Sequence, residues 1–273
     1  MRFRAWQATG NPFVEDYRSG PRGSATLVGE IDISPFGASP VLDSIQAASH
    51  NGVLYAVGRL GRERLALRTG RFGVIDPTLP LFMPRGTSSN FGVDVNAPQA
   101  FISHEGLLYM AGGRSSTSIS SLRSVGLYTV NEVTGVATRL GSAFGFGVGE
   151  IFPVGFASID GVLYMAGRNT RRLYIVDTST SLATRVGSAD DFGLGPSDPV
   201  GFGSHNGELY MTDSTHDALF TVDRLTGIAQ QAGDSSSFGL SLGTPGPIFS
   251  HDGNLYMVRL STVGAEILYI LGT

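Results

Sequence analysis

Cysteine and lysine are both absent from this chain of 273 residues, and each absence excludes a class of chemistry. Without cysteine there is no disulfide bond, no thiol nucleophile and no thiolate-bound zinc. Without lysine there is neither a Schiff-base amine nor the phosphate-binding lysine of a P-loop. All 19 basic residues are therefore arginines, and any cationic site depends on guanidinium groups.

Charge of either sign is also scarce, since charged residues make up 15% of the chain and the formal net charge is −4. A mildly acidic chain is not expected to bind nucleic acid. No apolar run approaches the roughly 18 residues that span a bilayer, and the N-terminal segment lacks the apolar core of a secretory signal. We therefore expect a soluble protein without nucleic-acid or membrane partners, while the compartment and the oligomeric state stay open.

Glycine, in contrast, is abundant, with 38 residues, which favours strands joined by tight turns. A motif of the form Ser-His-Asx-Gly-x-Leu-Tyr occurs five times, with its tyrosine at Tyr55, Tyr109, Tyr164, Tyr210 and Tyr256. These tyrosines are 54, 55, 46 and 46 residues apart, and the two longer spacings contain insertions at one place, 58–71 and 112–126. Such periodicity is typical of a repeat architecture.

Each repeat contains the pattern of four short strands. In the fourth repeat, 199–204 is strand A, Asn206-Gly207 forms a two-residue hairpin turn, and 208–212 is strand B. Strands C and D follow at 219–222 and 228–232. Four antiparallel strands in a repeat of this length are typical of a propeller blade. We therefore predict an all-β fold, a five-bladed β-propeller of four-stranded antiparallel blades.

The last repeat lacks its fourth strand, because the chain ends soon after its strand C at 268–271. A counterpart occurs near the N-terminus, where Ser-Ala-Thr-Leu-Val-Gly at 24–29 resembles the strand D sequence at 181–187. Pairing of the two chain ends would remove the exposed edges of an open ring. We predict that this N-terminal strand closes the last blade, that 24–273 form a single propeller domain, and that 1–23 form an arm outside it.

The order of the strands divides the loops between two faces of the ring. The A–B and C–D turns lie on one face, whereas the B–C loops and the D–A links between blades lie on the other. Both insertions fall in B–C loops, and length variation on a rigid scaffold usually marks binding loops. We therefore expect function on the face that carries the B–C loops and the D–A links.

Arginine is concentrated in the B–C loops, which contain 11 of the 19 arginines. A guanidinium group binds carboxylate, sulfate or phosphate through two parallel hydrogen bonds. Arg59, Arg114 and Arg168 are therefore candidate contacts to a small anionic ligand. The alternative is a solvated loop whose charge is balanced by acidic residues of the neighbouring links.

The D–A links repeat a Phe-Gly pair, which supports two interpretations. The phenylalanine is a wedge between blades, or it is the stacking surface of a repeated sugar site in which neighbouring polar groups bind hydroxyls. The second interpretation gives the remaining candidate ligand-binding residues: Asn90, Phe91, Asp94, Phe146, Glu150, Asp190, Asp191, Phe192, Ser237 and Phe238.

Histidine occurs at four of the five A–B turns, as His50, His104, His205 and His251, with Ile159 at the third. Equivalent positions in separate blades are unsuited to binding one ion at about 2 Å. We expect these histidines to stabilise the turns, and we predict no metal site and no cofactor. The sequence also contains no nucleophile elbow, no His-Glu-x-x-His motif and no calcium loop, and no residue is assigned a catalytic role.

The stretch from Gly187 to Val222 resembles the repeat of the tachylectin-2 type lectins. The residues that carry this resemblance are Gly187-Ser188, Phe192, Asn206-Gly207 and Leu209-Tyr210. The resemblance implies a five-bladed propeller that binds N-acetylated amino sugars at several sites between blades.

These observations lead to one main hypothesis and two alternatives. The main hypothesis is a non-enzymatic, lectin-like propeller that binds a glycan at repeated sites on the face of the links. The first alternative is a glycoside-active enzyme with carboxylates at the channel mouth, drawn from Asp43, Asp94, Glu150, Asp191 and Asp198. The second is a scaffold that contacts other proteins through the arginine-rich loops.

Overall fold

The computed structural model describes residues 25–31, 41–61, 69–79, 81–86, 89–93, 95, 97–113, 125–142, 144–149, 151–234, 244–260 and 266–271. The predicted N-terminal arm, 1–23, lies outside these ranges and stays a prediction. Within them, no helix is long and apolar enough to cross a membrane.

Twenty strands in the described ranges form five antiparallel sheets of four, one for each repeat. Blade 1 contains β2 (Val41–His50), β3 (Val53–Gly61), β4 (Thr69–Asp76) and β5 (Leu81–Pro84). Blade 2 contains β6 (Ala97–His104), β7 (Leu107–Gly113), β8 (Gly126–Val130) and β9 (Ala137–Leu140). Blade 3 contains β10 (Pro153–Ile159), β11 (Val162–Gly167), β12 (Arg172–Asp177) and β13 (Leu182–Arg185). Blade 4 contains β14 (Pro199–His205), β15 (Glu208–Asp213), β16 (Ala218–Val222) and β17 (Ala229–Asp234). Blade 5 contains β18 (Thr244–His251), β19 (Asn254–Leu260), β20 (Glu266–Leu271) and β1 (Ala25–Glu30).

The fifth blade joins the two ends of the described chain. β1 pairs with β20 in antiparallel register, with Ala25 opposite Leu271 and Thr26 opposite Ile270. The sheet order β1-β20-β19-β18 puts the N-terminal strand in the outer position that β5, β9, β13 and β17 hold in the other blades. The predicted closure of the last blade is therefore confirmed, together with the five-bladed fold.

The first strand of every blade lies on the inside of the ring. Contacts run from β2 to β6, β10, β14 and β18, and from β18 back to β2, without a break. The inner strands approach so closely that a Cβ on Gly155 would overlap the carbonyl of Phe202, and one on Gly201 the carbonyl of Gly246. Glycine at these two positions is therefore required by the packing of neighbouring backbones.

The links into blades 2, 3 and 4 each contain one short 3-10 turn, at Ser89–Gly92, Gly145–Gly147 and Asp191–Gly193. Phe91, Phe146 and Phe192 in these turns have left-handed backbones, with φ of 56°, 55° and 53°. That conformation costs a residue with a side chain about 1–2 kcal/mol. Burial of a phenylalanine ring contributes about 1.5–3 kcal/mol, and all three rings are no more than 1% exposed. Burial thus compensates for the strained backbone.

Each of these rings belongs to the apolar core between two blades. Phe192 packs in one cluster with Phe202 of β14 and Met211 of β15. Phe146 and Phe156 meet edge to face between blades 2 and 3, with ring centroids 6.3 Å apart. The hydrophobic core of the propeller is therefore divided among the blade junctions, and the links supply a wedge to each of these junctions.

Candidate functional site

The loops of the described ring lie on two faces. On one face, which we call the turn face, lie the hairpin turns between the first two strands of each blade. On the opposite face, the link face, lie the connections between second and third strands and the links between blades. Gly58 pairs with Arg71 and Gly112 with Gly126, so both insertions begin and end on the link face, as predicted. Their central parts, 62–68 and 114–124, lie outside the described residues.

Three of the predicted ligand contacts are the buried phenylalanines of the links. Phe91, Phe146 and Phe192 fill the blade junctions and present no exposed ring face. Their placement is the one that the wedge interpretation requires. Among the described link residues, the exposed aromatic side chain is Phe144, which is 56% exposed and has the guanidinium carbon of Arg139 4.1 Å from its ring centre.

Three further predicted contacts form ion pairs across the link between blades 3 and 4. Asp190 accepts hydrogen bonds from Arg172 and Arg185, with N–O distances of 2.7 and 2.9 Å. Asp191 accepts one from Arg171 at 3.1 Å. Arg168 binds Asp198, one of the candidate carboxylates of the enzymatic alternative. The arginines of one loop thus fasten the acidic link that follows in the chain.

The structure describes the side chains of none of the other predicted site residues. The backbones of Arg59 and Asn90 are described, in β3 and in the first 3-10 turn, but their side chains are not. Positions outside the described residues are Asp94, Arg114, Glu150, Ser237 and Phe238. Their assignment as ligand contacts remains a prediction.

A cleft of about 490 Å³ opens on the link face between blades 3 and 4. Its wall combines two guanidinium groups, one carboxylate, small polar side chains and one aromatic ring. The lining residues are Phe152, Arg168, Asn169, Arg171, Pro196, Ser197, Asp198 and Thr215. The volume falls within the range of about 300–1,000 Å³ that is usual for small-molecule sites.

Asp198 occupies the link-face end of an innermost strand, because it immediately precedes β14. Arg168 donates to both carboxylate oxygens, from Nε to Oδ1 at 2.6 Å and from Nη2 to Oδ2 at 2.7 Å. The hydroxyl of Ser214 donates to Oδ2 at 2.8 Å. These hydrogen bonds, that from Arg168 above all, lower the pKa of Asp198 below its usual value, and the charges of Arg168 and Arg171 add to the effect. Asp198 is therefore an ionised carboxylate at neutral pH.

Asp213 holds the backbone of Asp198 in place through a hydrogen bond. The sequence analysis did not predict this residue as part of a site. Its carboxylate is fully buried and accepts the backbone N–H of Asp198 at 2.7 Å. It also accepts the backbone N–H of His216 at 3.0 Å and lies 2.8 Å from the imidazole Nδ1. The sequence did contain a signal, since the corresponding positions of blades 1 to 3 are all glycine and only here carry a carboxylate. These glycines are Gly58, Gly112 and Gly167.

The turn face carries the predicted histidines, and they link neighbouring blades. The Nδ1 atom of each is 2.8–2.9 Å from a serine hydroxyl of the next blade. The pairs are His50–Ser103, His104–Ser158, His205–Ser250 and His251–Ser49. At the boundary between blades 3 and 4, where Ile159 replaces the histidine, the hydroxyl of Ser204 donates to the carbonyl of Ser158 at 3.1 Å. Among the described residues, no cluster of histidines and carboxylates could hold a metal ion.

Comparison with known proteins establishes the fold and corrects the functional prediction. No protein-family model matches the chain, and no curated protein matches it either. The exo-β-1,3-galactanase of Phanerochaete chrysosporium, solved with β-1,3-galactotriose, has a TM-score of 0.62 at 14% identity, over 90% of this chain and 64% of that one. Glutaminyl cyclase of Myxococcus xanthus has a TM-score of 0.58 at 13% identity, over 92% and 97%. A glycosyl hydrolase of Bacteroides ovatus has a TM-score of 0.55 at 9% identity, over 85% and 84%.

The prediction of a non-enzymatic, lectin-like propeller is wrong. The glycan-related structures that this ring resembles are enzymes, and the resemblance to tachylectin-2 type lectins is not supported by the comparisons. The physical reason lies in the described links, where Phe91, Phe146 and Phe192 are packed between blades. Repetition of the Phe-Gly pair therefore reflects the repeated need for a wedge.

Proposed function

We propose that this chain is a glycoside-active enzyme with its site in the link-face cleft between blades 3 and 4 and with Asp198 as the reacting carboxylate. One observation carries the proposal: an ionised carboxylate, held by Arg168 and Ser214, lines a cleft at the end of an innermost strand. Support also comes from the ring-shaped neighbours, of which one is a galactanase and one a glycosyl hydrolase. Their low identity makes them evidence for the fold, so the activity rests on the cleft.

Asp198 suits one of the two roles that glycoside hydrolysis demands. The reaction uses one ionised carboxylate, as base or nucleophile, and one carboxylic acid that protonates the leaving oxygen. The low pKa of Asp198 favours the first role and disfavours proton donation. Its Oδ2 accepts two hydrogen bonds and its Oδ1 one, so Oδ1 keeps a lone pair for a sugar or a water molecule.

The proton donor is to be found among the other acidic residues of the link face. Asp191 is the described candidate, with 34% of its side chain exposed. The sequence adds Asp43, Asp94 and Glu150, whose side chains lie outside the described residues. The proposal requires that one of these four carboxyl groups acts together with Asp198.

Turnover assays on a panel of aryl glycosides and oligosaccharides test the proposal. We expect release of sugar by the wild type and a loss of kcat of at least about 100-fold in Asp198→Asn, because that variant keeps the shape but lacks the charge. The proton donor is identified with four further variants, Asp191→Asn, Asp43→Asn, Asp94→Asn and Glu150→Gln. The variant that lacks the donor should lose activity on ordinary glycosides and regain it on substrates with a good leaving group.

Asp177→Asn is the matched control. Asp177 is an exposed carboxylate that caps the turn after β12 through hydrogen bonds from Ser179, and an asparagine oxygen can accept the same bonds. Its turnover should equal that of the wild type. Absence of turnover across the panel, or unchanged kcat in a folded Asp198→Asn variant, would refute the proposal.

A further inference from the structure

We infer that the cleft between blades 3 and 4 binds an acidic sugar, whose carboxylate or sulfate is held by Arg168 and Arg171 and whose neighbouring oxygen meets Ser197. The choice of a sugar rests on the proposed function, whereas the choice of an anion rests on the lining of the cleft. The two parts can fail separately, and the experiment below distinguishes them.

The charge of the cleft wall is the first observation. The lining contains two guanidinium groups and one carboxylate, while Asp191, the partner of Arg171, lies outside it. Guanidinium groups therefore outnumber carboxylates on the wall that a ligand would meet. Arg168 uses Nε and Nη2 on Asp198, and Arg171 uses Nη1 on Asp191. Each guanidinium has further N–H groups, so both can donate hydrogen bonds to an oxyanion without giving up these bonds.

Blade 4 shows that the fold itself does not need these arginines. The connection between β15 and β16 follows the same path as that between β11 and β12, and Asp217 there has a left-handed backbone like that of Arg171, with φ of 48° and 51°. By repeat alignment, Ser214 and Asp217 stand where blade 3 has Arg168 and Arg171. The same turn therefore forms without arginine at these two positions, so the pair of arginines in blade 3 serves a local purpose.

Ser197 provides an independent observation. Its side chain is 4% exposed and lines the cleft, yet its hydroxyl has no hydrogen-bond partner among the described residues. A buried hydroxyl without a partner is unfavourable, because the group has lost its water and gained nothing. The ion pairs that fasten the link leave this hydroxyl unexplained. Because Ser197 lines the cleft, a change of its χ1 rotamer would present this hydroxyl to a ligand oxygen there.

The shape and the remaining wall favour a sugar ring as the carrier of the anion. Phe152 is half-buried and forms an apolar wall, and its backbone N–H donates to the side-chain oxygen of Asn169 at 2.9 Å. Aromatic walls suit the C–H faces of a pyranose, while Asn169 and Thr215 provide polar groups for hydroxyls. A volume of about 490 Å³ exceeds that needed for an isolated phosphate ion.

The experiment compares acidic glycans with neutral derivatives of the same backbone. Isothermal titration uses oligosaccharides from pectin, alginate, glucuronan and chondroitin, each beside its methyl-esterified or desulfated form. We expect the wild type to bind at least one acidic glycan about tenfold more tightly than its neutral derivative, since a charge-assisted contact is worth about that factor. The desulfated arm distinguishes sulfate from carboxylate as the recognised group.

Arg171→Gln and Arg172→Gln form a matched pair of variants. The two arginines are adjacent and each pairs with an acidic residue of the same link, but only Arg171 lines the cleft. We expect the preference for the acidic form to disappear in Arg171→Gln and to persist in Arg172→Gln. Ser197→Ala should weaken binding of acidic and neutral forms alike by about threefold to tenfold.

Two results would overturn the inference. One is equal binding of every acidic glycan and its neutral derivative, and the other is an undiminished preference in a folded Arg171→Gln variant. Turnover of neutral glycosides without any anionic preference would refute this inference and leave the proposed activity intact. Anionic preference without turnover of any substrate would refute the proposed activity and leave this inference intact.

Discussion

The two faces of the propeller are stabilised in different ways. On the turn face, four of the five blade boundaries repeat one contact, an imidazole Nδ1 beside the serine hydroxyl of the next blade. On the link face, the described link between blades 3 and 4 is fastened by ion pairs of Arg168, Arg171 and Arg172 with acidic residues. A contact that serves the ring recurs with the repeat, whereas groups that belong to one blade indicate a local purpose. The cleft lies on the link face, where the side chains differ from blade to blade.

The largest effect is expected from the strand on which both faces depend. Removal of residues 1–30 deletes β1 and exposes the hydrogen-bonding edge of β20 in blade 5. We expect the truncated chain to unfold or to aggregate, as measured by thermal melting and size-exclusion chromatography. A monomeric truncated chain that melts at the wild-type temperature would show that the ring does not depend on its closure.

The next largest effect concerns the wedge of the link between blades 3 and 4. Phe192→Ala removes a fully buried ring, and such substitutions cost about 3–5 kcal/mol of unfolding free energy. Phe144→Ala is the control, because its ring is 56% exposed and surface substitutions stay within about 0.5 kcal/mol. Urea unfolding measures both. Equal losses in the two variants would contradict the assignment of Phe192 as a wedge.

A smaller effect, with a dependence on pH, is expected on the turn face. Burial lowers the pKa of His205 below its usual value. The unfolded chain then binds more protons than the folded chain once the pH falls below about 6.5, the usual pKa of histidine, so this group destabilises the fold there. His205→Ile introduces the residue that blade 3 has at Ile159 and should cost roughly 1 kcal/mol at pH 8, because Ser250 loses its partner.

The cost of His205→Ile should shrink as the pH is lowered from 8 to 5, since only the wild type carries the titrating imidazole. Differential scanning calorimetry at several pH values measures the gap. A gap that stays constant over this range would show that the protonation of His205 is not coupled to folding.

The smallest effect on stability is expected on the link face, from Arg168→Gln. The hydrogen bond from Arg168 is the main reason why the pKa of Asp198 is low, so the pKa should rise in the variant. A lowered carboxyl pKa stabilises the fold above the unfolded value of about 3.9, and this contribution is lost as the pH falls through the folded value. Because both side chains are over a third exposed, solvent screening reduces the loss at pH 7 to about 0.5 kcal/mol. Carbon-detected NMR titration of Asp198 provides the test, and an unchanged pKa would contradict it.

The regular part of the molecule was predictable because each repeat is one blade. The spacing of Tyr164, Tyr210 and Tyr256 reports the repeat length, and the strand missing after 268–271 pointed to its counterpart at 24–29. These features depend on hydrogen bonds between strands that follow one another in the chain and on the closure of one sheet, so the repeat pattern of the sequence is enough to predict them. The fold could therefore be derived in full outline.

The partners of individual side chains were not predictable in the same way. The histidines were expected to stabilise their own turns, but His104 bonds to Ser158 of the next blade, 54 residues away. Arginine beside acidic residues has the same sequence pattern whether it forms a ligand pocket or fastens a link, and Arg168 does the second while lining a cleft. Asp213 stood out only as a departure from glycine. Such contacts depend on how blades are placed, which periodicity does not encode.

The pairing of β1 with β20 has a consequence for synthesis on the ribosome. Ala25 emerges early, whereas its partner Leu271 is made 246 residues later. At about 5–20 residues per second, the first strand has to wait on the order of tens of seconds for its place in a sheet. Throughout that time the backbone groups of β1 have no native partner, and the blades completed so far form an open arc. The ring therefore cannot close before β20 has been made, and the nascent chain needs protection from other strands throughout this wait.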